Sequence, residues 1–129
     1  NASEAIVGRL AQENIDVEYL VNNAGYGLPG SFHIPDWQQH ADFIQVMMTA
    51  VCELTWRLLP GMHQRGRGFI VNVASIAGLK GTPPELMDAV GYSASKGGLI
   101  ALTRDLLEGL SPSEKDQIGH GTARRVYRL

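Results

Sequence analysis

The sequence predicts an α/β fold: a partial doubly wound parallel sheet in the order helix, strand, helix, strand, helix. Three observations predict it. The first is a short apolar run, Val17, Tyr19, Leu20 and Val21, that stops at Asn22-Asn23-Ala24-Gly25. Such a run ending in a tight polar turn reads as a buried parallel strand. The second is a similar run, Gly68 to Ser75, with a serine at its carboxyl end. The third is the pair of long helical periods that follow these runs, since parallel neighbours need helical crossovers.

Each element has its own signal. Residues 2–14 carry Ile6, Val7, Leu10 and Ala11 at helical spacing before the first strand. Asn22 to Gly30 then reads as a Gly-rich loop. Pro35, Asp36 and Gln39 form a helix start resembling a capping box. Phe43, Ile44, Met47, Met48, Val51, Leu54, Leu58 and Leu59 keep a helical period, which Pro60-Gly61 is expected to end or kink. Gly66 and Gly68 bracket the turn into the second strand. A loop with Gly78, Gly81, Pro83 and Pro84 leads to a helix beginning near Val90 that carries Tyr92, Lys96, Leu99, Ile100 and Leu106. The resulting division is residues 1–110 as one α/β segment and 111–129 as an irregular polar and basic tail. Strands buried on both faces read as continuous apolar runs, which Tyr19-Leu20-Val21 and Phe69-Ile70-Val71 fit, but the two strands are expected to be parallel neighbours only partly covered by the three helices. With only two strands, open edges are expected as well.

The composition narrows the function. At 129 residues with 44% hydrophobic and 19% charged residues, the chain has the make-up of a soluble globular domain. A net charge of −2 offers no general attraction to nucleic acid or anionic membrane, and no run is long enough to span a bilayer. Cys52 is the only cysteine, which excludes an intrachain disulfide and fits a reducing, cytoplasmic setting. Its apolar helical surroundings predict a buried, inert thiol. The four histidines, at 33, 40, 63 and 120, lack metal-ligand spacing and read as surface or loop residues.

Tyr92 and Lys96 are where the chemistry gathers. Four residues apart on a helix, they share one face. An ammonium held near a phenol favours the phenolate, and such a tyrosine can exchange a proton with a substrate oxygen. In open α/β sheets ligands bind beyond the carboxyl ends of strands, so Asn22-Asn23-Ala24-Gly25, Ser75 and the Tyr92/Lys96 pair should meet at one edge. Ser93-Ala94-Ser95-Lys96 also fits S-x-x-K, but the S-D-N and K-T-G elements that accompany that nucleophile motif do not occur.

In that chain order the three motifs resemble the short-chain dehydrogenase/reductase family, over about residues 5–110. Leu58-Leu59-Pro60-Gly61-Met62 and Val71-Asn72-Val73-Ala74-Ser75 are also typical of it. The resemblance implies a Rossmann-like oxidoreductase that moves a hydride between NAD or NADP and an alcohol or carbonyl substrate. It implies Ser75, Tyr92 and Lys96 as catalytic residues, with Tyr92 as acid/base and Ser75 holding the substrate oxygen. It implies Asn23, Ala24, Gly25, Tyr92 and Lys96 as cofactor contacts, and a homo-oligomer joined through the two long helices. The chain departs from the family in four ways. It has no G-x-G-x-x-G or similar phosphate turn, and Met47 stands where the family usually has an asparagine that holds a water of the proton relay. The 17 residues from Ser75 to Tyr92 are several more than usual, with residues 82–88 as the apparent insertion. After Leu110 the family's next strand is not found. These departures make the expected chain the middle of such an enzyme, inactive by itself. They leave a second reading open, a non-catalytic interaction module of the same fold. Gly97 and Gly98, each costing up to about 1 kcal/mol inside a helix, mark either a close approach by a helix or cofactor or a tolerated weak spot.

Overall fold

The computed structural model describes residues 1–28, 36–83 and 90–108. Its elements are α1 (Ala2–Gln12), β1 (Tyr19–Asn22), α2 (Trp37–Ile44), α3 (Ala50–Gln64), β2 (Phe69–Asn72), α4 (Ala77–Lys80) and α5 (Val90–Glu108). A π-helical segment, Gln45–Thr49, joins α2 to α3 without a break. The expected alternation is present, as a partial α/β fold. Two elements were not anticipated: the single turn of α4, and the π segment, whose wider bond from Ala50 N–H to Gln45 C=O admits one extra residue.

The helix starts follow from capping. Asn1 accepts from Glu4 N–H at 2.9 Å and Asp36 accepts from Gln39 N–H at 3.0 Å, each satisfying an orphan donor of a first turn. Pro60 neither ends α3 nor lies at its edge. It sits inside the helix, forgoing the bond to the carbonyl four residues earlier while the chain stays helical to Gln64.

β1 and β2 pair in parallel, with Tyr19 opposite Phe69 and Asn22 opposite Asn72. Alternation gives the pair two faces. Leu20, Asn22, Ile70 and Asn72 share the better covered face, the one carrying the ties to α3 and α5. Tyr19, Val21 and Val71, on the other, are 64%, 57% and 48% exposed, with Tyr19 stacked on Phe69 at 5.1 Å. The partial cover expected of two parallel neighbours takes this form: among the described residues, helices cover one face only.

A polar chain fastens the covered face. Asn22 Nδ2 donates to Asn72 Oδ1 at 2.8 Å, Asn72 Nδ2 to Thr103 Oγ1 at 2.9 Å, and Thr103 Oγ1 to Leu99 C=O at 2.8 Å. Asn22 also reaches Thr55 Oγ1 on α3 at 3.5 Å. Four elements are thus stitched together where apolar contact is thin. Around them Phe43, Met47, Val51, Met62 and Leu99 form the apolar core. Cys52, expected inside, is exposed, because the buried stripe of α3 runs through Val51 and Thr55 instead. His40, expected at the surface, is buried on α2 beside Phe43. The expected tail at 111–129 and most of the 82–88 insertion lie outside the described residues.

Candidate active site

Beyond the carboxyl ends of β1 and β2 lies a cavity of about 560 Å³. Asn23 and Gly25 come to it from the turn after β1, Ser75 from the turn after β2, and Tyr92 and Lys96 from the first turns of α5. Ala24, the middle of the first turn, does not line it. Tyr26 and Ile76 line it too, although the sequence reading singles out neither; each directly follows a residue that the reading did select.

Lys96 is 7% exposed. Its ammonium donates to Val73 C=O at 2.6 Å and sits 5.7 Å from the centre of the Tyr92 ring, within cation–π range. A buried charge needs such partners. The bond also ties α5 to the chain leaving β2. Ser75 Oγ accepts from Ala77 N–H at 3.2 Å. A hydroxyl that accepts in this way keeps its own proton to donate to a ligand oxygen. Ser75 lies three residues past the end of β2, where Gly78 N–H returns to its carbonyl at 3.0 Å and opens α4.

Met47, on the π segment, is 3% exposed and faces the same cavity. A Cβ on Gly25 would stand 2.8 Å from Met47 Sδ, so the turn after β1 rests on that thioether. Gln45, two positions earlier, is exposed and does not line the cavity. On the far side Thr82 Oγ1 and Ser93 Oγ share a hydrogen bond of 3.1 Å, which joins the loop after α4 to the residue next to Tyr92.

The surroundings of Gly97 and Gly98 are now concrete. Gly97 faces Gly78 of α4, and Gly98 faces the methyl end of Met48. The close approach is therefore by neighbouring chain.

The model of the short chain dehydrogenase family matches residues 1–114, and the chain belongs to that family. It is 39% identical over 108 residues to an acetoacetyl-CoA reductase of Rhizobium meliloti, covering 81% of this chain and 43% of the relative. It is 42% identical over 87 residues to the ketoacyl reductase HetN of a Nostoc strain, covering 67% of this chain and 29% of the relative. Among solved structures it resembles a 4-hydroxyisoleucine dehydrogenase complexed with NADH, with a TM-score of 0.71 and 30% identity over 82% of this chain and 47% of that one. The chain thus spans less than half the length of the relatives it matches.

Proposed function

We propose that this chain carries the proton-transfer half of an NAD(P)-dependent oxidoreductase site that interconverts an alcohol and a carbonyl. One observation supports this above the others: a phenol and a buried ammonium from α5 and a serine hydroxyl from the turn after β2 line one cavity. Tyr92 is the acid/base, giving a proton to the carbonyl oxygen during reduction and taking it back during oxidation. Ser75, its oxygen already an acceptor for Ala77 N–H, donates to the same substrate oxygen, where negative charge develops. Lys96, held by Val73 C=O, keeps its ammonium 5.7 Å from the centre of the Tyr92 ring, where it orients the phenol within the cavity.

The residues fit the nicotinamide end of the cofactor. The cavity offers the Asn23 amide, the small Gly25 and the Lys96 ammonium around one space, while no glycine-rich phosphate turn occurs in the sequence. Asn23, Gly25, Tyr92 and Lys96 would hold the nicotinamide and its ribose. A bound dinucleotide would give the hydride in reduction and accept it in oxidation; orientation and proton handling would fall to this chain. The acetoacetyl-CoA and ketoacyl substrates named for the two reductases above make a 3-oxoacyl thioester such as acetoacetyl-CoA the first substrate class to try.

A second reading is a module for association, and exposed apolar side chains favour it. Trp56 and Leu59 on α3 are 72% and 39% exposed, which suits the expected pairing of copies through α3 and α5.

The test is to assay the polypeptide that carries these residues for oxidation of NADPH and NADH with a panel of 3-oxoacyl thioesters and simple ketones. Tyr92→Phe should lower turnover by about 10²-fold or more, the usual contribution of a positioned acid/base. Unchanged turnover in that variant would remove the assignment.

A further inference from the structure

We infer that Gly78 and Gly97 are positioning residues: their backbone-to-backbone contact sets where the Ser75 turn stands against the Tyr92–Lys96 face of α5. The inference rests on the oxidoreductase reading for what the spacing serves, but the contact itself is geometric. A Cβ on Gly78 would lie 2.5 Å from the carbonyl carbon of Lys96 and 2.7 Å from Gly97 N. No side chain can occupy that position, so α4 lies directly on the main chain of α5 at the residue that carries the ammonium. From the other side, a Cβ on Gly97 would meet Gly78 C=O at 3.2 Å. Gly78 must be glycine for the helices to come this near, and a side chain at residue 97 would push the Gly78 carbonyl back by a few tenths of an ångström.

The contact is one turn from the chemistry at both ends. Gly78 N–H binds Ser75 C=O at 3.0 Å, and Ala77 N–H binds Ser75 Oγ at 3.2 Å. The Ser75 hydroxyl is thus fixed to the turn that Gly78 seats. On α5, Lys96 adjoins Gly97, and Tyr92 lies one turn earlier on the face they share. Two other ties join β2 to α5: Lys96 to Val73 C=O, and Asn72 to Thr103. Both precede Ser75 in the chain, so neither fixes the direction of the turn that follows it. Beyond Ser75, the Thr82–Ser93 hydrogen bond ties the far end of the loop after α4, and the glycine contact is the one that adjoins the turn itself.

The neighbouring Gly98 supplies a matched control. A Cβ there would come within 2.7 Å of Met48 Cε, the end of a flexible side chain that can rotate away. Gly97→Ala and Gly98→Ala therefore make the same chemical change to one helix, and only the first pushes on the Ser75 turn. Gly78→Ala is the harsher version of the first.

The experiment follows the Tyr92 phenol by ¹³C NMR of ring-labelled tyrosine, assigned with Tyr92→Phe, and needs neither cofactor nor substrate. Ser75 and Tyr92 line one cavity, so in the unaltered chain Ser75→Ala should shift the Tyr92 Cζ resonance. In Gly97→Ala that response should fall by at least about half, the signature of lost coupling in a double-mutant cycle. In Gly98→Ala it should persist. Thermal melts establish that each variant is folded. A Tyr92 resonance indifferent to Ser75→Ala in the unaltered chain would overturn the inference. So would a folded Gly97→Ala that keeps the full response, or unfolding of both Gly97→Ala and Gly78→Ala while Gly98→Ala folds, which would make the contact a condition of folding. If the NMR result holds and the reductase assay fails, only the oxidoreductase reading falls.

Discussion

Asn72 reaches both ways from the middle of the covered sheet face, donating to Thr103 on α5 and accepting from Asn22 on β1. Its removal is costly because of what it leaves behind. In Asn72→Ala the Asn22 amide, 8% exposed, would keep only the long contact to Thr55. A buried polar group without a good partner costs about 1–3 kcal/mol. Urea unfolding of Asn72→Ala should show a loss in that range. A change below about 0.5 kcal/mol would mean that water or Thr55 replaces the partner. At this scale the sequence was a good guide to which residues approach the cavity, since Asn23, Gly25, Ser75, Tyr92 and Lys96 all line it. It was a poor guide to Cys52 and His40. Both occupy helices whose apolar stripes are broad, and one step of about 100° around the axis exchanges a buried position for an exposed one.

Among the elements, α1 and α3 are joined by charge. Glu53, in the first turn of α3, accepts from Arg57 Nε at 2.9 Å and from Asn1 Nδ2 at 3.0 Å. The Arg57 hydrogen bond is the main reason its carboxyl is held below the usual carboxylate value; burial opposes it and Asn1 adds to the lowering. A group whose folded value lies below its unfolded value contributes stability that is complete above the unfolded value and disappears as pH falls through the folded one. The stability difference between the parent chain and Glu53→Gln should therefore be constant above about pH 5 and shrink below about pH 4. Urea melts across that window check it; a difference that grows with acid would contradict the assignment. Element order was legible because period and turn chemistry repeat over many residues. The π segment was not, since one extra residue scarcely disturbs an apolar period in which Phe43, Met47 and Val51 are all buried. The short α4 was hidden for a related reason. It is held by Gly78 against α5, a tertiary contact that no local pattern announces.

For the whole molecule, the open sheet face has a direct consequence. Tyr19, Val21, Phe69 and Val71 lie together on one side of a two-stranded sheet with unpaired edges among the described residues. Exposed apolar surface of this kind beside open edges promotes association. Sedimentation velocity of the purified chain should show concentration-dependent self-association, reduced in Val21→Lys. If the two sediment alike as monomers, the open face is not sticky.

Cofactor affinity is the second property of the molecule as a whole, and it depends on where a dinucleotide gains its binding energy. A large share comes from pyrophosphate held by backbone N–H groups at a glycine-rich turn and helix N-terminus. No such sequence occurs in these 129 residues. In the proposed reading the residues around the cavity address only the nicotinamide end. The purified 129-residue chain should therefore bind NADH and NADPH weakly or not at all by calorimetric titration. Met47→Asn should not change that result. The substitution places an amide in the position now filled by a buried thioether under Gly25, which alters a polar contact in the cavity and adds no phosphate site. A polypeptide that includes these residues together with a glycine-rich turn should bind first, and turn over more slowly with Met47 than with asparagine there. The order separates the two effects expected from the family resemblance, affinity from the phosphate turn and proton handling from residue 47. Micromolar binding of either cofactor to the 129-residue chain would show that the nicotinamide end suffices. The division of labour proposed between cavity and phosphate turn would then be wrong.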